Sequence, residues 1–409
     1  MRLASTVIVS SPETLNNTRL TGRIYWGAGE VFDLWVDVPE AYSANVSSSG
    51  NPWLLAMLPW AASLGEDIEL SLPVDALLLE NVQGILAQWR VWYPALQGVK
   101  ITCPVQGYQE VAGTRTAAFF SGGVDSYFTI ARRLPGNPYG IAAVGRVGDL
   151  LTVWGFDVGV YDEQEFSPLA DMLQKSAQAL GLNHLIIRTN LRQIEKRIPF
   201  RDMWRRLSHG TGLAFAALCV EKSYKEIIIG SSYTFGNLFP WGSHPLQDPL
   251  FSTSATQFLH DGASFTRVQK TALIAQFAPA QAALHVCFAA GQRNCSACDK
   301  CYRTMMTLDI LDQKLAVATA FDWSRYSVKA VRKLFIRSRG DKIFSADIKA
   351  LALSKHRNDV YAALCYAEKR SSFLRPWVQL SEKIMTFPWV WRIGIHMKAF
   401  LLKGPIRKI

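Results

Sequence analysis

The sequence predicts an α/β protein: a parallel, doubly wound sheet preceded by a mixed α/β module and followed by a mainly helical, basic part. Three observations predict it. From about residue 114 short apolar runs, turns and amphipathic runs alternate, the pattern of a parallel sheet covered by helices on both faces. Before that point, shorter stretches alternate apolar and polar residues, as half-buried strands do. Charge is also uneven: residues 321–409 hold 19 Lys/Arg against 6 Asp/Glu, whereas the first 320 hold 25 against 27. The net charge of +11 therefore belongs to the C-terminal part. The expected division is 1–113, 114–310 and 311–409.

In the first part, RLTGRIYW (19–26) and VFDLWVDV (31–38) read as strands. NPWLLAMLPWAASLG and VDALLLENVQGILAQWRVW carry apolar residues at helical spacing, and VKITCPV returns to a strand. In the second part, TAAFF (116–120) is a buried strand that runs into SGGVDS and a helix. LLTVWGF (150–156), HLIIRTN (184–190) and EIIIGSS (226–232) are the next strands. PLADMLQKSAQALG (168–181), with Gly181 as its C-terminal stop, and GLAFAALCVEKSY (212–224) are the intervening helices. Ligands of such sheets bind beyond the carboxyl ends of the strands. SGGVDS, the Gly155–Phe156–Asp157 turn and Gly230–Ser231–Ser232 fall on that edge.

With 409 residues, 49% of them hydrophobic and 19% charged, the chain can bury large cores, and disorder is not expected. The N-terminal MRLASTVIVS lacks the apolar core of a signal peptide. The longest uncharged apolar run, 52–65, is too short to span a bilayer. A cytoplasmic, non-transmembrane protein is expected. Four of the seven cysteines fall within 287–301, which points to a metal rather than a disulfide framework. Cys103, Cys219 and Cys365 occur singly and read as core residues.

Two strings carry chemistry. In SGGVDS, Gly122 and Gly123 let backbone N–H groups approach an anion, and the helix that follows adds its unpaired N–H groups and the positive end of its dipole. Ser121 and Ser126 offer hydroxyls, Val124 opens the helix, and Asp125 suits a Mg²⁺ ion or the bracing of the loop. In CFAAGQRNCSACDKC, Cys287, Cys295, Cys298 and Cys301 have the spacing C-x7-C-x2-C-x2-C. That spacing suits tetrahedral zinc, with an iron–sulfur cluster as the competing occupant. Four thiolates leave no open position for water, so the metal is expected to be structural.

SGGVDS resembles the signature of the PP-loop ATP pyrophosphatases, the adenine-nucleotide alpha-hydrolase-like group. Together with the cysteine row it looks like the 7-cyano-7-deazaguanine synthases, over roughly residues 114–310. The resemblance implies ATP and Mg²⁺ on SGGVDS, adenylylation of an acceptor with release of pyrophosphate, and structural Zn²⁺ on the four cysteines. TRVQKTALIA (266–275) resembles the segment that carries a lysine near the phosphates, which makes Lys270 the candidate, with Arg267 one turn earlier. Gly155, Phe156, Gly230 and Ser231 are expected around the nucleotide; Asp157, just past its strand, is either a further contact or a turn or helix-cap residue.

The acceptor side departs from the family. Its Tyr-Pro-Asp-Cys-Arg segment is absent, and GSSYTFGNLFPWGSHPLQDPLF stands in its place. SHGTG replaces an Arg-Asn pair, which makes His209 the candidate acid–base or acceptor-binding residue. His244 and Asp248 lie in the rebuilt loop. The expected reaction is an ATP-dependent C–N ligation between a small carboxylate or amide acceptor and an amine or ammonia. Two alternatives stand beside it. One is a PP-loop tRNA-modifying enzyme of the thiolase or lysidine-synthase type; the other is a non-enzymatic nucleotide-binding subunit of a biosynthetic or phage-defence complex. A homodimer, or a partner protein on the basic C-terminal part, is compatible with the sequence. Nucleic acid is a third option there, with no motif to support it.

Overall fold

The computed structural model describes residues 1–14, 16–27, 29–111, 113–134, 145–287, 294–384, 397, 398 and 401. The chain forms two compact units, the first built on Met1–Phe265 and the second essentially on Thr266 onward.

The first unit opens on an antiparallel meander, β1 (Arg2–Ser10), β2 (Asn17–Trp26) and β3 (Glu30–Pro39). Helix α1 (Asn51–Leu64), short strands β4 (Ile68–Leu70) and β5 (Val74–Asp75), helix α2 (Ala76–Trp92), and strands β6 (Ile101–Thr102) and β7 (Val105–Gln106) follow. Asp75 caps α2 by accepting from the N–H groups of Leu77 and Leu78. The strand–helix rhythm then begins: β8 (Arg115–Phe119), α3 (Val124–Ala131), β9 (Asp149–Trp154), α4 (Glu163–Ala179), β10 (Asn183–Thr189), α5 (Leu191–Glu195), α6 (His209–Leu218), β11 (Tyr224–Gly230) and β12 (Gln257–Asp261).

Ten of these strands make one sheet in the order β12-β11-β8-β9-β10-β3-β2-β1-β4-β6, while β5 and β7 pair separately. Strands β8 to β12 are parallel to one another, in the order 12-11-8-9-10. The order therefore reverses at β8, the mark of a doubly wound arrangement. Alternate residues face opposite sides. Ala117, Phe119, Leu151, Leu185, Ile187, Ile227 and Ile229 share a core with α6 and α1. His184 faces the other way and meets Gln174 of α4 (3.0 Å).

Residues 1–113, expected as a separate module, share this sheet. β3 joins β10 antiparallel through Arg188↔Asp37 and Thr189↔Val36. Asn190 braces the seam, accepting from the Trp35 N–H and donating to the Asp33 carbonyl (both 2.9 Å). Asp37, fully buried, is held by Arg19 (2.6 Å) and lies 3.7 Å from Arg188. Four strands go beyond the expectation, β1, β4, β5 and β12, with β5 at the start of a run expected to be helical. α4 starts five residues before the expected Pro168, and Gly181 lies just past its end with φ +65°. The helix expected to reach 224 ends at Leu218. Beyond it, the Glu221 carboxylate is drawn inward by Ser47 (2.6 Å), Ser49 (2.7 Å) and Asn51 (3.0 Å), which turns the chain.

The second unit is helical: α7 (Arg267–Ile274), α8 (Ala278–Ala283), α9 (Asp299–Ile310), α10 (Val328–Val331), α11 (Arg339–Ser354) and α12 (Asn358–Ile384). Val268, Tyr302, Met306, Ile310, Val331, Ile348, Val360 and Leu364 form one core. α7 and α9 thus pack with the C-terminal helices, and the boundary expected after residue 310 falls inside this core. Asp309 ties α9 to the start of α12 by accepting from Arg357 (2.8 Å) and Tyr326 (2.9 Å). Part of the basic tail, residues 385–396, 399, 400 and 402–409, lies outside the described residues. No helix among the described residues is long and apolar enough to cross a membrane.

Candidate functional site

The SGGVDS turn leaves the end of β8 at the point where the strand order reverses. Phe120 still belongs to the sheet: its N–H donates to the Leu151 carbonyl (2.7 Å), and its carbonyl accepts from the Thr152 hydroxyl (2.6 Å). Ser121 is exposed, and Gly122 then takes φ +70°, a left-handed conformation that suits glycine. Gly123 is extended and precedes α3 without any side-chain cap. The opening N–H groups of α3 therefore have no capping side chain, the arrangement that favours an anion. Asp125 lies in the first turn of α3, partly buried, and Val124 is buried beneath it. Ser126 is buried and donates to the Gly123 carbonyl (3.0 Å). Its hydroxyl, expected to face a ligand, braces the turn instead.

The neighbouring strand end is tightly fixed. A Cβ on Gly230 would lie 3.3 Å from the Asp125 carbonyl and from the Thr129 hydroxyl, so β11 ends against α3. Ser231 is buried; its N–H donates to the Asp261 carbonyl (2.7 Å) and its hydroxyl to the Tyr233 carbonyl (2.5 Å). The Asp261 carboxylate, at the end of β12, accepts from Thr129 (2.9 Å) and Arg133 (3.1 Å) and pairs with Arg132 (3.3 Å). Thr129 of α3 and the two arginines just past its end thereby lock the turn's helix to the far edge of the sheet. Sequence reasoning missed Asp261 because its partners lie some 130 residues away and no local pattern marks it.

On the other side of β8, Gly155 has φ +111°, and a Cβ there would fall 2.0 Å from the Thr189 carbonyl. No other residue fits that backbone. The next residue, Phe156, packs edge-on to Trp204 (4.6 Å). The same indole meets His209 (5.1 Å) and lies 4.3 Å from the Arg192 guanidinium. Phe156 and His209, singled out separately in the sequence, thus converge on one tryptophan that the sequence did not mark. Asp157 is exposed and favours the charge on Arg192.

Beneath this cluster Glu195 is buried. It accepts a very short hydrogen bond from the Ser208 hydroxyl and lies 2.9 Å from the Arg192 guanidinium. Burial outweighs both partners. It raises the Glu195 carboxyl from 4.5 to about 7 and lowers Arg192, although Arg192 opposes the Glu195 shift. Between those two values the folded state holds a proton that the unfolded state has lost, so stability falls as pH rises through this window. The fall is at most about 3 kcal/mol for a shift of this size. Urea titrations at pH 5 and pH 8 should show it in the wild type, and Glu195→Gln should largely remove it.

His244 and Asp248, offered as candidates in the rebuilt loop, form a scaffold instead. Asp248 is fully buried and accepts from the His244 N–H (2.9 Å), the Ser243 hydroxyl (2.7 Å) and His260 Nδ1 (2.7 Å). His244 packs edge-on to Trp92 (4.9 Å), and burial lowers its pKa. His260, on β12, was not visible as a partner in the sequence. Lys270 and Arg267 lie on α7 of the second unit, whose N-terminus carries a capping box of Thr266 and Gln269. Lys270 is almost fully buried, where its residue type alone favours solvent. Arg267 is half-buried.

The four cysteines meet within the second unit, with all four sulfurs inside 4.8 Å of one another. Individual separations are 3.8 Å (Cys287–Cys298), 3.9 Å (Cys295–Cys301) and 3.5 Å (Cys298–Cys301). Tetrahedral zinc with Zn–S bonds of about 2.3 Å requires sulfurs about 3.8 Å apart, so the set fits a single ion of that kind. An iron–sulfur cluster spreads its thiolates around several irons. The loop geometry supports the set: the Cys295 N–H donates to Cys287 Sγ (3.4 Å) and the Cys298 N–H to Cys295 Sγ (3.3 Å). Ser296 has φ +55° and is fully buried. Asn294 fastens the strand of chain around the site, accepting from the N–H groups of Val286 and Cys287 and donating to the carbonyls of Leu284 and Ala320. Contacts with Cys287 and Cys301 push the Cys298 thiol far down, and contacts with Cys287 and Cys298 push Cys301 far up. Four thiolates at this spacing need a cation to coexist.

No family model, curated protein or solved structure matches the chain.

Proposed function

We propose that the first unit binds ATP on Ser121–Ser126 and spends it in adenylylating an acceptor. The observation that carries the reading is the placement of the uncapped, glycine-turned start of α3 at the reversal of strand order, beside Gly230–Ser231. That is where open α/β sheets take their ligands. The N–H groups of Gly122, Gly123 and α3 would hold the phosphates, and Asp125 would be the carboxylate beside a Mg²⁺ ion that screens their charge. An acceptor carboxylate or amide oxygen attacks the α-phosphorus, the bond to pyrophosphate breaks, and an amine or ammonia then displaces AMP. The cluster of Phe156, Arg192, Trp204 and His209 is the natural acceptor side, with planar and cationic surfaces suited to a flat, anionic or carbonyl-bearing group. On this reading the four cysteines hold structural zinc.

Pyrophosphate release is the test, measured with ATP, Mg²⁺ and a panel of carboxylic acids, amides and amines. Release that depends on one acceptor supports the reading, and ADP with orthophosphate overturns it. Release that depends on tRNA moves the acceptor to the tRNA-modifying class. ATP binding without turnover under every condition makes the chain a nucleotide-binding subunit.

A further inference from the structure

The basic residues of the second unit look scattered along the sequence, but folding brings several of them together. α10 and the first turns of α12 bound an open groove of about 680 Å³. Lys329, Arg332 and Lys369 line it and are exposed. The two carboxylates close by are already engaged: Asp359 by Arg357 (2.9 Å) and Glu368 by Lys349 (2.7 Å). Among the described residues the three groove cations are left without a carboxylate partner, so the groove is positive and open to an anion.

Aromatic rings stand beside those charges. Tyr361 and Tyr366 line the groove, and the Arg332 guanidinium lies 4.2 Å over the Tyr366 ring. Further along α12, Phe373 is 74% exposed and Trp377 is 50% exposed, with Tyr366 at 47%. Spacings of seven and four residues put all three on one face of the helix, over a length of about 16 Å at 1.5 Å per residue. Exposed aromatics are costly to leave in water, and their interleaving with unpaired cations is the pattern of a base-stacking platform along a phosphate track.

We propose that this surface binds single-stranded nucleic acid, with phosphates on Lys329, Arg332 and Lys369 and bases stacked on Tyr366, Phe373 and Trp377. An acidic peptide would use the charges but not the row of rings. A bilayer surface would use the exposed rings, but Lys329, Arg332, Lys369 and Tyr366 line a groove that a flat headgroup layer does not fill. The inference is independent of the ATP reading, because binding is measured without ATP.

The experiment uses the full chain and a fluorescein-labelled 12-nucleotide oligo(U), followed by anisotropy between 50 and 200 mM salt. The expected affinity falls with salt at a log–log slope of about −2, the value for three phosphate contacts on a single strand. Lys329→Glu combined with Arg332→Glu should abolish binding, and the milder Lys369→Gln should make the slope shallower by about 0.7. Tyr366→Ala should weaken binding about 5- to 100-fold and leave the slope unchanged. All four substituted positions are exposed, and a thermal melt of each variant separates lost binding from lost folding. Absence of binding at 50 mM salt overturns the proposal. So does equal binding by the charge-reversed variant when its melt is unchanged. Tighter binding to polyglutamate or to phosphatidylserine vesicles than to oligo(U) overturns it as well.

Discussion

Replacing Cys298 or Cys301 by serine, or stripping the metal with a strong chelator, is expected to unfold most of the second unit. A structural zinc contributes about 10–16 kcal/mol of apparent binding free energy at neutral pH, whereas a whole domain is stable by about 5–15 kcal/mol. Losing one ligand of four can therefore exceed the net stability of the surrounding structure. The segment most directly affected is α9, because Cys298 immediately precedes it and Cys301 lies in its first turn. α9 also supplies Tyr302, Met306 and Ile310 to the helical core. Circular dichroism at 222 nm should lose a large part of its helical signal. The sheet of the first unit, whose core contains none of the four cysteines, should keep its own. Mass spectrometry of the purified protein should find about one zinc per chain. A metal-free protein with its full helical signal, or a content of two to four irons, would contradict the structural-zinc reading.

If the turn holds ATP as proposed, Gly122→Val is expected to weaken ATP binding strongly. A β-branched residue at φ +70° must leave the left-handed region, at a cost of about 1–2 kcal/mol, and the N–H groups proposed to hold the phosphates would turn away with it. ATP affinity should fall by at least about 100-fold, roughly what losing two charge-assisted hydrogen bonds implies. Gly181→Val is the control for strain alone. Gly181 has φ +65°, and nothing lies within 4 Å of an added Cβ. It precedes β10 and so sits at the opposite end of the strands from the turn. It should lower the melting temperature by a similar amount and leave ATP affinity intact. Calorimetric titration of both variants decides the matter: equal ATP affinity in Gly122→Val and the wild type would remove the turn from the nucleotide site.

What the sequence revealed was what it writes contiguously. SGGVDS and the cysteine row are local strings, legible without help from distant chain, and the four cysteines do meet in the fold. The apolar strands β8 to β11 were visible for the same reason. β1 was not, because most of RLASTVIVS is exposed and its residues do not alternate between core and solvent. β12, QFLHD, is short, and two of its five residues are polar side chains engaged by distant partners. The boundary expected at 113 rested on a real change of rhythm, but strand pairing across 150 residues leaves no trace in local periodicity. The clusters around Asp261, Glu195 and Asp248 were hidden on the same grounds. Each is a buried carboxylate gathered from separate elements, and a lone acid in sequence looks like surface. Lys270 shows the converse, since a lysine on an amphipathic helix reads as solvated until the fold covers it.

The seam between β3 and β10 has a consequence for synthesis. The partners Asp37 and Arg188 are about 150 residues apart. A ribosome adding about 5–20 residues per second needs roughly 8–30 s to make the chain between them. Throughout that interval β1, β2 and β3 can form their meander, while the outer edge of β3 has nothing to pair with. An open edge of this kind is a template for other chains. The nascent protein is therefore exposed to aggregation at one identifiable strand, and a chaperone that holds the chain during elongation would act there.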